Sequence, residues 1–222
     1  NTDFIITKKI ITGTAPGRAL YKLIATLSHY LPHGIILTAR AAGKLLDYIE
    51  SSDGPAGARI AVGPCVCQRS LNKWKEPSCK DIVILYGADI YRYLELGYRI
   101  ITAAEAKKIV RDCRNAGLVH TVDFCMQSGK WAFVICNCDS EICVPVRTYL
   151  LTGKFIYPGP EIVALDPAKC LGEKECGRCI TACLFGVNTS TGGTPAVDYA
   201  GCRGCGQCVR TCKGKARNMT RR

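Results

Sequence analysis

The sequence contains no apolar run long enough to cross a bilayer. Its longest, around Gly34–Ala39 and Ile82–Leu85, fall far short of the ~18–20 residues a spanning helix needs. The opening stretch NTDFIITKKIITG lacks the basic start, long apolar centre and small-residue cleavage site of an export signal, which points to a cytoplasmic protein. Nucleotide-binding signatures are absent too. There is no G-x-G-x-x-G after a strand, no Walker A, and no C-x3-C-x2-C of the radical enzymes that use S-adenosylmethionine. Histidine is scarce at three residues, and His29 and His33, flanking Pro32, read as surface or capping residues.

Cysteine, by contrast, is plentiful. Sixteen occur in 222 residues, in a chain whose 48% hydrophobic and 22% charged content is otherwise ordinary for a globular protein with one large or two small domains. Disulfides, zinc and iron–sulfur clusters all draw on cysteine. With no export signal and with C-x2-C grouping, intracellular metal ligation is the better reading. The formal charge of +12 then needs correction, because a [4Fe-4S] core with four thiolates adds a net −2. Part of the basicity offsets clusters, so high charge is weak evidence for nucleic acid, which is not expected as a partner.

Two cysteine groups dominate the C-terminal part. KCLGEKECGRCITACLFG carries Cys170, Cys176, Cys179 and Cys183, and GCRGCGQCVRTCK carries Cys202, Cys205, Cys208 and Cys212. Each is a C-x2-C step followed by C-x3-C, whereas a zinc ribbon would show two C-x2-C pairs across a longer loop. Glycines at 172, 177, 201, 204 and 206 suit a backbone that curls tightly and points amides at sulfur. From Cys202 onward seven basic residues occur and no acidic one, which suits docking to an acidic redox partner.

Residues 160–217 resemble the bacterial-type ferredoxin domain with two [4Fe-4S] clusters, including the lead-ins VALDPAKC and AVDYAGC. The resemblance implies a βαββαβ domain over 158–222. It also implies crossed ligation: Cys170, Cys176, Cys179 and Cys212 for one cluster, and Cys202, Cys205, Cys208 and Cys183 for the other. The first motif departs from the family by three extra residues in LGEKE. The proline that usually follows each fourth cysteine is replaced by Leu184 and Lys213.

Residues 1–157 read as a helical, winged-helix-like, Cys-rich domain, making the whole chain α+β. Helical periodicity runs through GRALYKLIATLSHYL and over Ala39–Ile49. Thr102 and Glu105 form a capping-box signature for a helix ending near Gly117, followed by two strands joined at Ser128-Gly129. Cys113 falls on the apolar face of that helix as a core residue, and Cys125 lies in a strand with its role open. Cys65, Cys67, Cys79, Cys136, Cys138 and Cys143 sit in loop-like places and form a pool for a third cluster, with zinc as the alternative. Sixteen thiols leave arithmetic room for a fourth. CVCQ, AGLVH and ICNC ahead of a two-cluster ferredoxin domain are similar to a poorly characterised family of anaerobic 4Fe-4S binding proteins. Here the cysteine-dense run of that family is reduced to CNCDSEIC, and a further cysteine of the family is Ile84.

The expected function is a multi-cluster electron-transfer subunit that serves a larger redox enzyme. Two rivals stand beside it: a redox-sensing regulator that binds nucleic acid through the winged helix, and an enzyme with substrate at an open N-terminal cluster.

Overall fold

The computed structural model describes residues 13–27, 32–52, 59–125 and 132–222. In chain order the first part contains α1 (Ala15–Leu27), β1 (Pro32–Leu37), α2 (Ala39–Glu50), β2 (Ile60–Pro64), α3 (Val66–Leu71), β3 (Cys79–Ile84), α4 (Tyr86–Tyr93), β4 (Arg99–Ile101), α5 (Ala103–Asn115), β5 (Val119–Cys125), β6 (Ala132–Cys138), α6 (Val144–Thr152) and β7 (Ile156–Tyr157). The second contains β8 (Glu161–Leu165), α7 (Gly172–Glu175), α8 (Arg178–Thr181), β9 (Asn188–Thr191), β10 (Thr194–Val197), α9 (Gln207–Arg210) and β11 (Arg217–Arg221).

The seven strands of the first part form one mixed sheet in the order β4-β2-β3-β6-β5-β1-β7. Every neighbouring pair is antiparallel except β1 and β7. This corrects the winged-helix expectation. The hairpin of β5 and β6 exists, but it lies inside the sheet between β1 and β3 and is no free wing. The strands that bury it come from IIL, IAV and IVI, short β-branched runs without alternation because both faces are covered. The Ser128-Gly129 turn lies outside the described residues.

α2 and α5 cover one face of the sheet. Thr38 caps α2, its hydroxyl accepting the Ala41 amide at 3.0 Å, and Thr102 caps α5 through the Glu105 amide at 3.2 Å. Leu46 and Ile49 of α2 and Ala106 and Val110 of α5 pack on Ile60, Val62, Ile82, Ile84, Val122 and Ile135. Cys113 is fully buried on the inner side of α5, as its position in the helix implied. On the other face Ala61, Val83 and Val134 meet Ala88 and Tyr98, with Cys136 at the edge of the cluster.

The second part is built from two small sheets, β8 with β11 and β9 with β10, both antiparallel. Gly192 and Gly193, with φ of +60° and +83°, close the β9–β10 hairpin as its two turn residues. VALDPAKC and AVDYAGC do begin as strands that run into the cysteine loops. The two parts share buried hydrogen bonds. Gln207 Nε2 donates to the Leu118 carbonyl at 2.6 Å, Arg203 Nε to the Tyr149 hydroxyl at 2.7 Å, and Glu161 accepts from Thr38 and Arg40.

Gly204 shows how closely the chain packs where these parts meet. Its φ is +82°, and a Cβ there would overlap the Glu161 carbonyl oxygen. Gly153 has φ +71° with nothing within 4 Å. Gly153→Ala should therefore cost only the backbone penalty, about 1 kcal/mol. Gly204→Ala should cost at least about 3 kcal/mol, since overlap adds to the backbone strain. Denaturant unfolding of the two variants measures the difference; equal losses would mean that the segment relaxes around Gly204.

Candidate metal centre

Two small, partly open cavities, each of about 20 Å³, lie within the second part. One is lined by Cys183, Cys202, Cys205 and Cys208 together with Val163, Phe185, Val187 and Met219. The other is lined by Cys170, Cys176, Cys179 and Cys212 with Gly172, Gly177, Gly214 and Arg217. Each holds three thiols of one loop and the fourth of the other, which are the two sets that the ferredoxin resemblance implies. The extra residues of LGEKE form the short α7, so Cys170 still faces the same cavity as Cys176.

The local backbone explains the arrangement. Gly177 and Gly206, both with positive φ, precede α8 and α9, which carry Cys179 and Cys208. Gly214 leaves no room for a Cβ against the Lys169 carbonyl oxygen, so the return of the chain after Cys212 lies flat on the Cys170 loop. The Ala216 amide donates to Cys212 Sγ at 3.2 Å, an amide already aimed at sulfur.

Between the cavities lies a buried cation. Arg217 is 4% exposed, and its Nη1 donates to Asn188 Oδ1 at 2.7 Å, while Nη2 has no hydrogen-bond partner. Asn188 in turn donates to the Cys179 carbonyl at 3.0 Å, so one side chain ties the first loop to β11. Burial raises the pKa of Cys179 and of Cys208, and the Arg217 charge works against that rise at both sulfurs. The guanidinium, within hydrogen-bond reach of Cys179, lies buried among the thiols and favours negative charge there.

A third group of thiols forms in the first part. Cys65 is the N-cap of α3 and Cys143 the N-cap of α6, while Cys136 and Cys138 end β6. Cys67 lies within hydrogen-bond reach of Cys143 and Cys65, and Cys138 of Cys136 and Cys143. Thiol donors from Cys143 and then Cys65 hold the Cys67 pKa down to about 3, with help from the Val144 amide and the Lys80 charge. Cys138 is lowered by its contacts with Cys136 and then Cys143. The residues DSE of the run CNCDSEIC shape the loop. Asp139 Oδ1 accepts the Glu141 amide at 2.8 Å, its backbone carbonyl accepts the Cys143 amide at 2.8 Å, and its carboxylate pairs with Lys75.

The sequence did not foretell which members of the six-thiol pool belong together. Cys79 is exposed at the start of β3 and stands apart from the other five in hydrogen bonding. Cys136 sits between two buried carboxylates, its thiol donating toward Asp123 Oδ2 at 3.3 Å and Asp81 Oδ1 at 3.5 Å. Burial pushes Asp81 up to about 6 and Asp123 up to about 8, and contact with Cys138 followed by burial raises Cys136 itself. Four thiols remain free of carboxylates in direct contact: Cys65, Cys67, Cys138 and Cys143. Lys80, 1% exposed, lies beside them with no carboxylate ion pair among the described residues. Its Nζ donates to the Lys75 carbonyl at 3.5 Å, and both the Asp139 carboxylate and the Cys67 thiol lie within reach of its charge.

Cys138 and Cys143 also touch the second part of the chain, packing with Val119 and Val146 against Leu184 and Cys205. The three thiol groups therefore follow one another through the molecule. Among the described residues no three His, Cys, Asp or Glu side chains converge on a point that suits a single metal ion. The side chain of Cys125 lies outside the described residues, as does His29. No family model matches the chain, and neither a curated protein nor a solved structure matches it.

Arg217 offers a direct check. Arg217→Met leaves Asn188 Oδ1 unpaired and should cost about 1.5–3 kcal/mol, the range for hydrogen bonds to charged groups, read as a lower Tm. An unchanged Tm would show that Asn188 is not held by the guanidinium.

Proposed function

We propose that this chain is an iron–sulfur electron carrier with three [4Fe-4S] centres, serving a larger redox enzyme. The observation that carries the reading is the lining of the two cavities, each with four thiols drawn from both loops. In this reading residues 158–222 form a two-cluster ferredoxin-like βαββαβ domain, and the strand and helix order of the segment supports it. Cys170, Cys176, Cys179 and Cys212 would hold one cluster, and Cys202, Cys205, Cys208 and Cys183 the second. Cys65, Cys67, Cys138 and Cys143 would hold the third, with Cys136 protonated between Asp81 and Asp123. Bound there, each cluster supplies a one-electron couple whose potential the surrounding charge and hydrogen bonds set.

The protein's own part is to shield, orient and neutralise. Val163, Val187, Phe185 and Met219 exclude water from one cavity. Lys80 and Arg217 place positive charge beside thiolates that would otherwise repel one another. Leu184 and Cys205 pack against the apolar cluster that contains Cys138 and Cys143, which brings the first thiol group next to the second part. Cys79 and Cys113 lie far apart in environment, one exposed and one in the core, so a fourth cluster is not part of the proposal. The regulator reading loses its basis with the winged helix, because β5 and β6 are interior strands. Thiols of this kind persist in a reducing compartment, which agrees with the cytoplasm.

Anaerobic purification followed by iron and sulfide analysis tests the reading. About 12 of each per chain are expected from cubane stoichiometry. Only trace iron would end the proposal, and about 8 iron with one zinc would remove the third centre alone. Cys138→Ser should lose about four iron, whereas Cys136→Ser should lose none.

A second pair of variants tests the crossed ligation. Cys212→Ala should alter the EPR signal of the centre at Cys170, Cys176 and Cys179, and Cys183→Ala that of the centre at Cys202, Cys205 and Cys208. Damage confined to each cysteine's own loop would refute the crossing.

A further inference from the structure

An open groove of about 450 Å³ lies between α2, α5 and the stretch from Cys205 to Met219. Two helices supply its walls in the same pattern. Arg40, Lys44 and Asp47 follow the i, i+4, i+7 spacing along α2, and Lys107, Arg111 and Arg114 repeat it along α5. That spacing puts the three side chains of each helix on one face.

The charge in the groove is not internally cancelled. Arg40 pairs with Glu161 and Lys107 with Asp47. Lys44, Arg111 and Arg114 have no ion pair among the described residues. Five cations against Asp47 and Glu161 leave a surplus of +3.

The floor connects this groove to the chemistry. Cys205, Gly206 and Met219 line both the groove and the cavity that contains Cys183, Cys202 and Cys208. One residue layer thus separates a molecule seated in the groove from that thiol group. A small anion would call for buried donors converging on one point. Here the donors form two rows on neighbouring helices, exposed at Arg40, Lys44 and Arg111 and half-buried at Lys107 and Arg114, which matches an extended acidic surface.

We propose that this groove is the docking face for an acidic redox protein, whose carboxylates meet Lys44, Arg111 and Arg114 and whose redox centre faces Cys205. The exposed basic residues near the C-terminus are then not the docking face. The inference rests on the electron-carrier reading above, and Cys205 gives that reading a specific point of access.

The test uses the whole metal-loaded chain with a flavodoxin, an acidic one-electron protein, as probe. Saturable one-to-one binding is expected, weakening at least ~10-fold between ~50 mM and ~300 mM salt. Charge reversal by Lys44→Glu, Arg111→Glu and Arg114→Glu together should weaken it by ~30-fold or more, and Lys213→Glu, Lys215→Glu and Arg221→Glu together by less than ~3-fold. On the unaltered protein, Lys44 and Lys107 should be shielded from acetylation in the complex while Lys213 and Lys215 are not. This arm stands even where the triple variant fails to fold. No saturable binding, equal loss from both triples, shielding at Lys213 in place of Lys44, or tighter binding to duplex DNA than to flavodoxin would each overturn the proposal. Iron analysis of the same samples separates the two failures. Iron-free protein counts against the carrier reading, and iron-loaded protein that ignores the groove counts against the docking face alone.

Discussion

Each C-terminal cavity needs a sulfur from the other loop, and this exchange constrains the second part of the chain. Cys183 ends the first loop but lines the second cavity, and Cys212 does the reverse. Neither cavity can be completed until β8, β11, α8 and α9 are all in place. The small β9–β10 hairpin, with its two glycines, reverses the chain between the loops and brings them face to face. The buried core of this segment is small, with Val163 and Val187 set among Cys179, Cys202 and Cys208.

Gathering thiols also gathers negative charge, and the chain answers with buried cations. Lys80 does this from β3 and Arg217 from β11, each almost fully buried. A third element is opposite in sign. Asp81 and Asp123 stand beside Cys136, and Gly34 makes the space, since a Cβ there would come within 2.8 Å of Asp123 Oδ1. The same sheet thus carries a lysine whose charge helps lower Cys67 and a carboxylate pair that helps raise Cys136, while Cys138 is lowered by its contacts with Cys136 and Cys143.

The cysteine spacings and the helix caps could be read from the sequence, because both depend on residues close together in the chain. Thr102 and Glu105 announced α5, and C-x2-C-x3-C announced both loops. The strands β1, β2 and β3 could not be read in the same way. Their runs IIL, IAV and IVI are buried on both faces and too short to show a period. Without them the β5–β6 hairpin looked like an isolated wing. Nor could Lys80 and Arg217 be recognised as interior residues, since charged side chains are ordinarily exposed. The selection among the six N-terminal thiols depended on those buried charges and on sheet register, both properties of the assembled fold.

The connection between β7 and β8 is Pro158-Gly159-Pro160, and three residues span at most about 10 Å. Two prolines stiffen it, and a Cβ at Gly159 would overlap the Ile36 carbonyl oxygen of β1. Such a strap has no slack. In tethered carriers a mobile head swings between donor and acceptor, and its reach sets the pace. Here the second part is held tight against β1, so the spacings between the thiol groups are fixed when the chain folds.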